Sequence, residues 1–148
     1  MGEVAGVSER GWRVARIEDV PALPPTDDPA FWEPWTRDPG FDRGWHSVGR
    51  HLGVRAFGVN AKEAEAGREL VAQHSEDEFG RQEELYVVVR GRARFTCDGD
   101  GVELEPGDIL LVGAAVAREA VALESPTLLL MIGGTPGQPY AAPEWNAD

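Results

Sequence analysis

Cysteine, lysine and long apolar runs are what this chain conspicuously lacks. Among 148 residues there is one cysteine, Cys97, and one lysine, Lys62. A lone cysteine excludes an internal disulfide, and the expected compartment is therefore reducing, a cytoplasm. Cations are few: 14 Lys plus Arg stand against 26 Asp plus Glu, for a net charge of −12 and a pI near 4.6. That balance argues against nucleic acid, whose affinity rests on cationic contacts to phosphates, and against anionic membrane surfaces. No run of about 18 apolar residues exists to span a bilayer. Met1 to Arg16 is charged and has no signal-peptide core. There is no glycine-rich phosphate loop, no Gly-x-Ser-x-Gly and no Cys-x-x-Cys.

What is present fits one globular domain. Apolar residues at 42% and charged residues at 27% exclude a wholly disordered chain. The 18 glycines and 11 prolines favour a turn-rich β fold over a helical bundle. Composition changes along the chain. Residues 1–53 form an expected N-terminal arm, with prolines and with Trp12, Phe31, Trp32, Trp35 and Phe41 to dock on the remainder. It closes with a short helix from Gly44 to Leu52, stopped by Gly53. Residues 54–133 carry period-two segments: Val54–Val59, Leu70–Gln73, Glu84–Val89, Arg92–Cys97, Val102–Leu104, Ile109–Val112, Arg118–Leu123 and Thr127–Ile132. Asp98-Gly99-Asp100-Gly101 is a hairpin turn. Strands at this spacing imply an all-β sandwich or barrel. Residues 134–148 read as a tail anchored by Trp145.

Two strands are apolar on both faces. In Glu84–Val89, Leu85, Val87 and Val89 share one side while Tyr86 and Val88 share the other; Leu128–Ile132 is apolar throughout. Double-sided strands need cover on both faces. The outer cover is expected from the arm or from a second subunit, so a homodimer is expected.

The strand region also carries a spaced set of polar residues. Gly67 stands seven residues before His74, and Glu84 seven before Gly91. Pro106-Gly107-Asp108 opens a second motif that runs to Arg118. This order resembles the cupin superfamily over about residues 54–133, and the glycine-rich end beginning Gly133-Gly134 is similar to that of small bacterial cupins. The resemblance implies a single double-stranded β-helix (jelly-roll) barrel. It also implies a metal site of three histidines and one glutamate. His74 and Glu84 fill two of the four ligand places. Glu76 stands at the second histidine's place, Arg118 at the third's, and Gly113 replaces a proline. A protonated arginine is not a metal ligand.

The expected function is a small-molecule-binding barrel whose metal site is weakened, with a pocket around His74, Glu84, Tyr86 and Arg118 for a small polar or anionic organic ligand and no cofactor. Arg118 would supply a fixed positive charge toward Glu84 or toward the ligand. The alternative is a metal-dependent oxygenase, isomerase or cyclase holding one divalent ion (Mn, Fe or Zn) on His74, Glu76 and Glu84. A third reading is a non-catalytic interaction module. Cys97 is expected as an inert core residue. His46 and His51 are expected as surface residues on the short helix, and Glu83 as a solvated charge.

Overall fold

The computed structural model describes residues 11–21, 44–77 and 80–141. Among these, nine strands and one short helix follow in chain order: β1 (Trp45–His46), α1 (Val48–Leu52), β2 (Gly58–Ala64), β3 (Glu69–His74), β4 (Glu83–Arg90), β5 (Ala93–Cys97), β6 (Asp100–Leu104), β7 (Ile109–Val112), β8 (Arg118–Ala122) and β9 (Thr127–Gly134). A 3-10 turn, Ile17–Asp19, precedes them. The strands make two antiparallel sheets, one in the order β1-β2-β9-β4-β7 and the other β3-β8-β5-β6. Two such sheets face to face are the expected jelly-roll barrel.

Local chemistry sets the turns. Asp98 and Gly99 both have positive φ, 49° and 88°, so Cys97 pairs with Asp100 across a two-residue loop whose twist suits a hairpin. Gly53 ends α1 in the left-handed conformation, and its N–H bonds the carbonyls of Arg50 and Gly49.

Two starts before the barrel core differ from the sequence expectation. Gly44–Leu52 is not one helix, because Trp45 and His46 pair with Lys62 and Ala61 on β2 and the helix starts only at Val48. Helix formation over so few residues is weak enough for sheet pairing to win. His46 is accordingly half-buried on a strand, and its Nδ1 donates to the Val20 carbonyl at 2.9 Å. β2 begins at Gly58 rather than Val54, because its partner β9 ends opposite, in the register Gly58 with Gly133.

Alternation decides what lies inside. The barrel interior buries Leu70, Tyr86, Val88, Ala93, Phe95, Leu104, Val112, Ala120 and Leu129 as one cluster. Tyr86 and Phe95 meet with ring centroids 4.8 Å apart. Each such side chain contributes about 1.5–3 kcal/mol on burial. A second cluster lies outside the larger sheet: Val20, Val48, Val59, Ala61 and Leu128, with Ile17 and Leu52 against it. Arg90 on β4 bonds Glu18 in the 3-10 turn. The stretch 11–20 therefore does cover part of the sheet, but with Ala15, Ile17 and Val20; Trp12 is 58% exposed. Phe31, Trp32, Trp35, Phe41 and Trp145 lie outside the described residues. Beyond that cover, toward β7, Val89, Ile109 and Leu111 are exposed (43%, 65% and 61%), so the outer apolar face read from β4 is bare at one end. No helix among the described residues is long and apolar enough to cross a membrane.

Candidate functional site

The inward rows of the larger sheet end in a different chemistry. Pairing aligns Asn60, Met131 and Tyr86 in one row, and Gly58, Gly133 and Glu84 in the next, nearer the mouth. From the smaller sheet, β3 delivers His74 opposite Arg118 at the start of β8. Glu76 follows one turn past β3, and its N–H is held by the Ala114 carbonyl at 2.8 Å. The acidic run around Glu76 therefore is not wholly solvated, since Glu76 is buried.

These groups converge. His74 Nε2 lies 2.8 Å from Glu76 Oε2 and 3.6 Å from Glu84 Oε1. Its Nδ1 donates to the Ala72 carbonyl at 2.7 Å. Tyr86 donates its hydroxyl to Glu84 Oε1 at 2.6 Å. Arg118 has no exposed surface; its Nη1 stands 3.5 Å from Glu84 Oε1 and 3.7 Å from Glu76 Oε2. Its Nη2 donates to the Gly113 carbonyl at 2.8 Å and to the Val112 carbonyl at 3.4 Å. The four predicted positions and Glu76 thus form a single cluster. Cys97, opposite Arg118 on β5, is half-buried and packs on the core, and burial raises its pKa. Glu83 is exposed, and His51 is half-buried on α1.

Electrostatics follow from the contacts. Burial pulls the His74 pKa down, but hydrogen bonds to Glu76, Glu84 and the Ala72 carbonyl outweigh it and raise the value to about 9. His74 is therefore an imidazolium at neutral pH. Burial pushes Glu84 up, yet bonds from His74 and Tyr86, with the charges of His74 and Arg118, leave it below the usual carboxylate value. Tyr86 is raised, first by burial and then by the Glu84 charge, so it stays a neutral donor.

The topology and site now permit comparison with solved structures. A cupin protein from Bacteroides fragilis matches with a TM-score of 0.55 and 24% identity over 68% of this chain and 84% of its own. This is a cupin fold. A protein from Acidithiobacillus ferrooxidans, provisionally named a sugar phosphate isomerase, matches the cupin barrel with a TM-score of 0.56 and 25% identity, over 66% of this chain and 62% of its own. No family model and no curated protein matches the chain.

Cupins offer a metal site here, and His74, Glu76 and Glu84 are a group that could hold one, with ligand atoms within 4.8 Å of one another. The fit is poor for a physical reason. The carboxylate oxygens that would ligate the ion are those facing the Arg118 guanidinium. His74 Nε2 would also have to release a proton held by two carboxylates.

Sequence reasoning missed the space beside this cluster. A cavity of about 80 Å³ is lined by Trp45, Gly58, Asn60, Gln82, Glu84, Met131, Gly133 and Tyr140. The available signal was Gly58 inside one strand pattern and Gly133 directly after another, since strand glycines mark close approach or room for a ligand.

Proposed function

We propose that this cupin is a metal-independent barrel that binds a small polar or anionic organic molecule at its mouth. The observation that carries the reading is the buried Arg118, whose guanidinium faces both Glu76 and Glu84 where a metal would sit. Two carboxylates in a partly dry cavity repel each other unless a cation lies between them. Here two cations do that work, the guanidinium from below and the imidazolium of His74 from the side. The four charges sum to zero, so no further ion is needed for charge balance.

Each residue then has a task. Arg118 is buried and touches backbone carbonyls, so it acts on the ligand through the carboxylates rather than by contact. Glu84, fixed by Tyr86, offers an acceptor for a ligand hydroxyl. His74 is part-exposed, with its side chain 27% accessible, and offers an anionic group its positive charge, since both ring N–H groups already face protein acceptors. An imidazolium beside a carboxylate can also pass a proton to or from a bound molecule.

Metal analysis of protein purified without chelator or added metal tests this directly. The expected result is no stoichiometric divalent ion. Arg118→His should then create a fourth ligand beside His74, Glu76 and Glu84, raising Mn²⁺ affinity by about tenfold or more. One tightly held ion per unmodified chain would overturn the reading. The second reading, a metal-dependent enzyme, would then stand. It is favoured by the three clustered donors and by the isomerase name of one structural neighbour.

A further inference from the structure

The cavity next to Glu84 is built by the sheet rather than left by loose packing. Gly58 and Gly133 are directly paired, and Gly133 is in turn paired with Glu84. The row continues to Val112 on β7; in a pleated sheet it should present side chains to the barrel, and two of its four positions present none. Added Cβ atoms there would press mainly on side-chain ends, with the Glu83 carbonyl oxygen in ordinary contact at 3.4 Å from a Cβ at Gly133. At Gly133 a Cβ would lie 2.7 Å from Gln82 Oε1, and at Gly58 3.0 Å from the Tyr140 hydroxyl. The missing side chains are thus replaced by polar groups reaching in from Gln82 and Tyr140.

One residue in the next row is unfinished. Asn60 lines the cavity, is 91% buried, and its Oδ1 has no hydrogen-bond partner. A buried amide oxygen without a partner costs about 1–3 kcal/mol, and such a group is retained where something else completes it. Glu84 lines the same cavity and supplies a second acceptor. Trp45 and Met131 supply an aromatic and an apolar wall. A volume of about 80 Å³ holds roughly two or three waters, so a four-carbon polyol seats one end in it and leaves the other toward the mouth.

The geometry points to a binding subsite for a hydroxylated carbon fragment, with neighbouring hydroxyls donated to Asn60 Oδ1 and to Glu84 and the carbon chain laid on Trp45 and Met131. Hydroxyls suit this lining because both acceptors need donors, and because a hydroxyl can also accept from Gln82 or Tyr140. A carboxylate fragment fits worse: it would bring acceptors to Asn60 Oδ1 and Glu84. The subsite deepens the reading of the mouth as a small-molecule site and rests on it. An anionic group of the same ligand would be met at His74, outside this cavity.

NMR titration of the full chain with erythritol, 1-butanol and glycerate tests the assignment. Erythritol should produce saturable shifts at the Trp45 indole and the Asn60 side-chain amide. Asn60→Ala should weaken it about tenfold, the loss of one buried hydrogen bond. Gly133→Ala, which crowds the end of Gln82 and touches Glu84 Cγ at 3.4 Å, should weaken it further, and Gly58→Ala, which meets Tyr140 instead, provides a second block if Gly133→Ala loses its dispersed spectrum. 1-Butanol should not saturate. The subsite is refuted if erythritol leaves Trp45 and Asn60 unmoved, if Asn60→Ala binds it as well as the parent, or if 1-butanol binds equally. Glycerate shifting His74 while erythritol moves nothing at Trp45 would refute the subsite and leave the mouth reading standing. If no probe moves His74 or Trp45, both fall.

Discussion

Tyr86 and Glu84 are two residues apart on one strand and point the same way, yet they belong to regions with opposite chemistry. Around the Tyr86 ring the barrel is apolar and closed: Phe95, Val88, Leu129 and Val112 are almost fully buried. Around Glu84 it is charged and partly open, with His74 and Arg118 each within ion-pair distance of both Glu76 and Glu84. The period of two that sends both side chains inward does not separate these regions; depth in the barrel does. The closed end supplies folding free energy through area removed from water. The mouth spends some of it to hold four charges in one place, and such groups contribute little net stability while constraining what can bind.

The comparison breaks most sharply at Phe95. Phe95→Ala should destabilise the fold by about 3–5 kcal/mol, measured by urea unfolding, while a folded remainder keeps the raised His74 pKa, read by NMR. A large fall in that pKa would show that the two regions are not independent.

Tyr86 belongs to both regions, so removing its hydroxyl alone separates them. Tyr86→Phe keeps the ring on Phe95 and leaves Glu84 Oε1 without its donor. The expected loss is about 1.5–3 kcal/mol, the range for hydrogen bonds to charged groups, with the Glu84 pKa moving up. No movement of Glu84 would place the hydroxyl outside the network.

A smaller effect is expected from pH. His74 is raised in the folded protein from 6.5 to about 9. Its stabilising contribution is therefore fully present below about pH 6.5 and lost as pH rises through about 9. Glu84 is lowered from 4.5, so its contribution is present above about 4.5 and lost as pH falls further. Unfolding measured along the pH axis should show a plateau with a decline on each side. His74→Gln should remove the alkaline decline and shrink the acid one, since His74 is the first of the partners that hold Glu84 down while Tyr86 and Arg118 remain. An alkaline limb unchanged in His74→Gln would assign that limb to another group.

The smallest effect on stability is expected outside the barrel, on the bare end of the larger sheet. We propose that Val89, Ile109 and Leu111 are covered by a second copy of the chain. Light scattering at micromolar concentration should give about twice the 16.1 kDa chain mass, and Leu111→Lys should halve it. Surface changes of this kind alter monomer stability by only about 0.5 kcal/mol. A monomeric parent protein would refute the dimer.

Much of the fold was legible because it depends on local rules. Alternation in Ala93–Cys97, the Asp98-Gly99 turn and the shared parity of Glu84 and Tyr86 need only adjacent residues, and all are found. The start of β2 and the short β1 were misread, since each depends on a partner distant in sequence. Within the cluster, His74, Glu84 and Arg118 were picked out by the places they take in the motif that resembles cupins. Glu76 was harder to place: in sequence it is part of an acidic run, and its burial comes from a backbone bond to Ala114.

The sequence by itself determined an all-β barrel and the inward parity of Glu84 and Tyr86, and its resemblance to cupins singled out Arg118. Tertiary structure decided the rest. Only pairing across the sheets could bring Arg118 within 4 Å of both carboxylates, make His74 an imidazolium, and align Gly58 with Gly133 to open a cavity beside Glu84. Charge state and empty space are set by neighbours distant along the chain, and no local pattern carries that information.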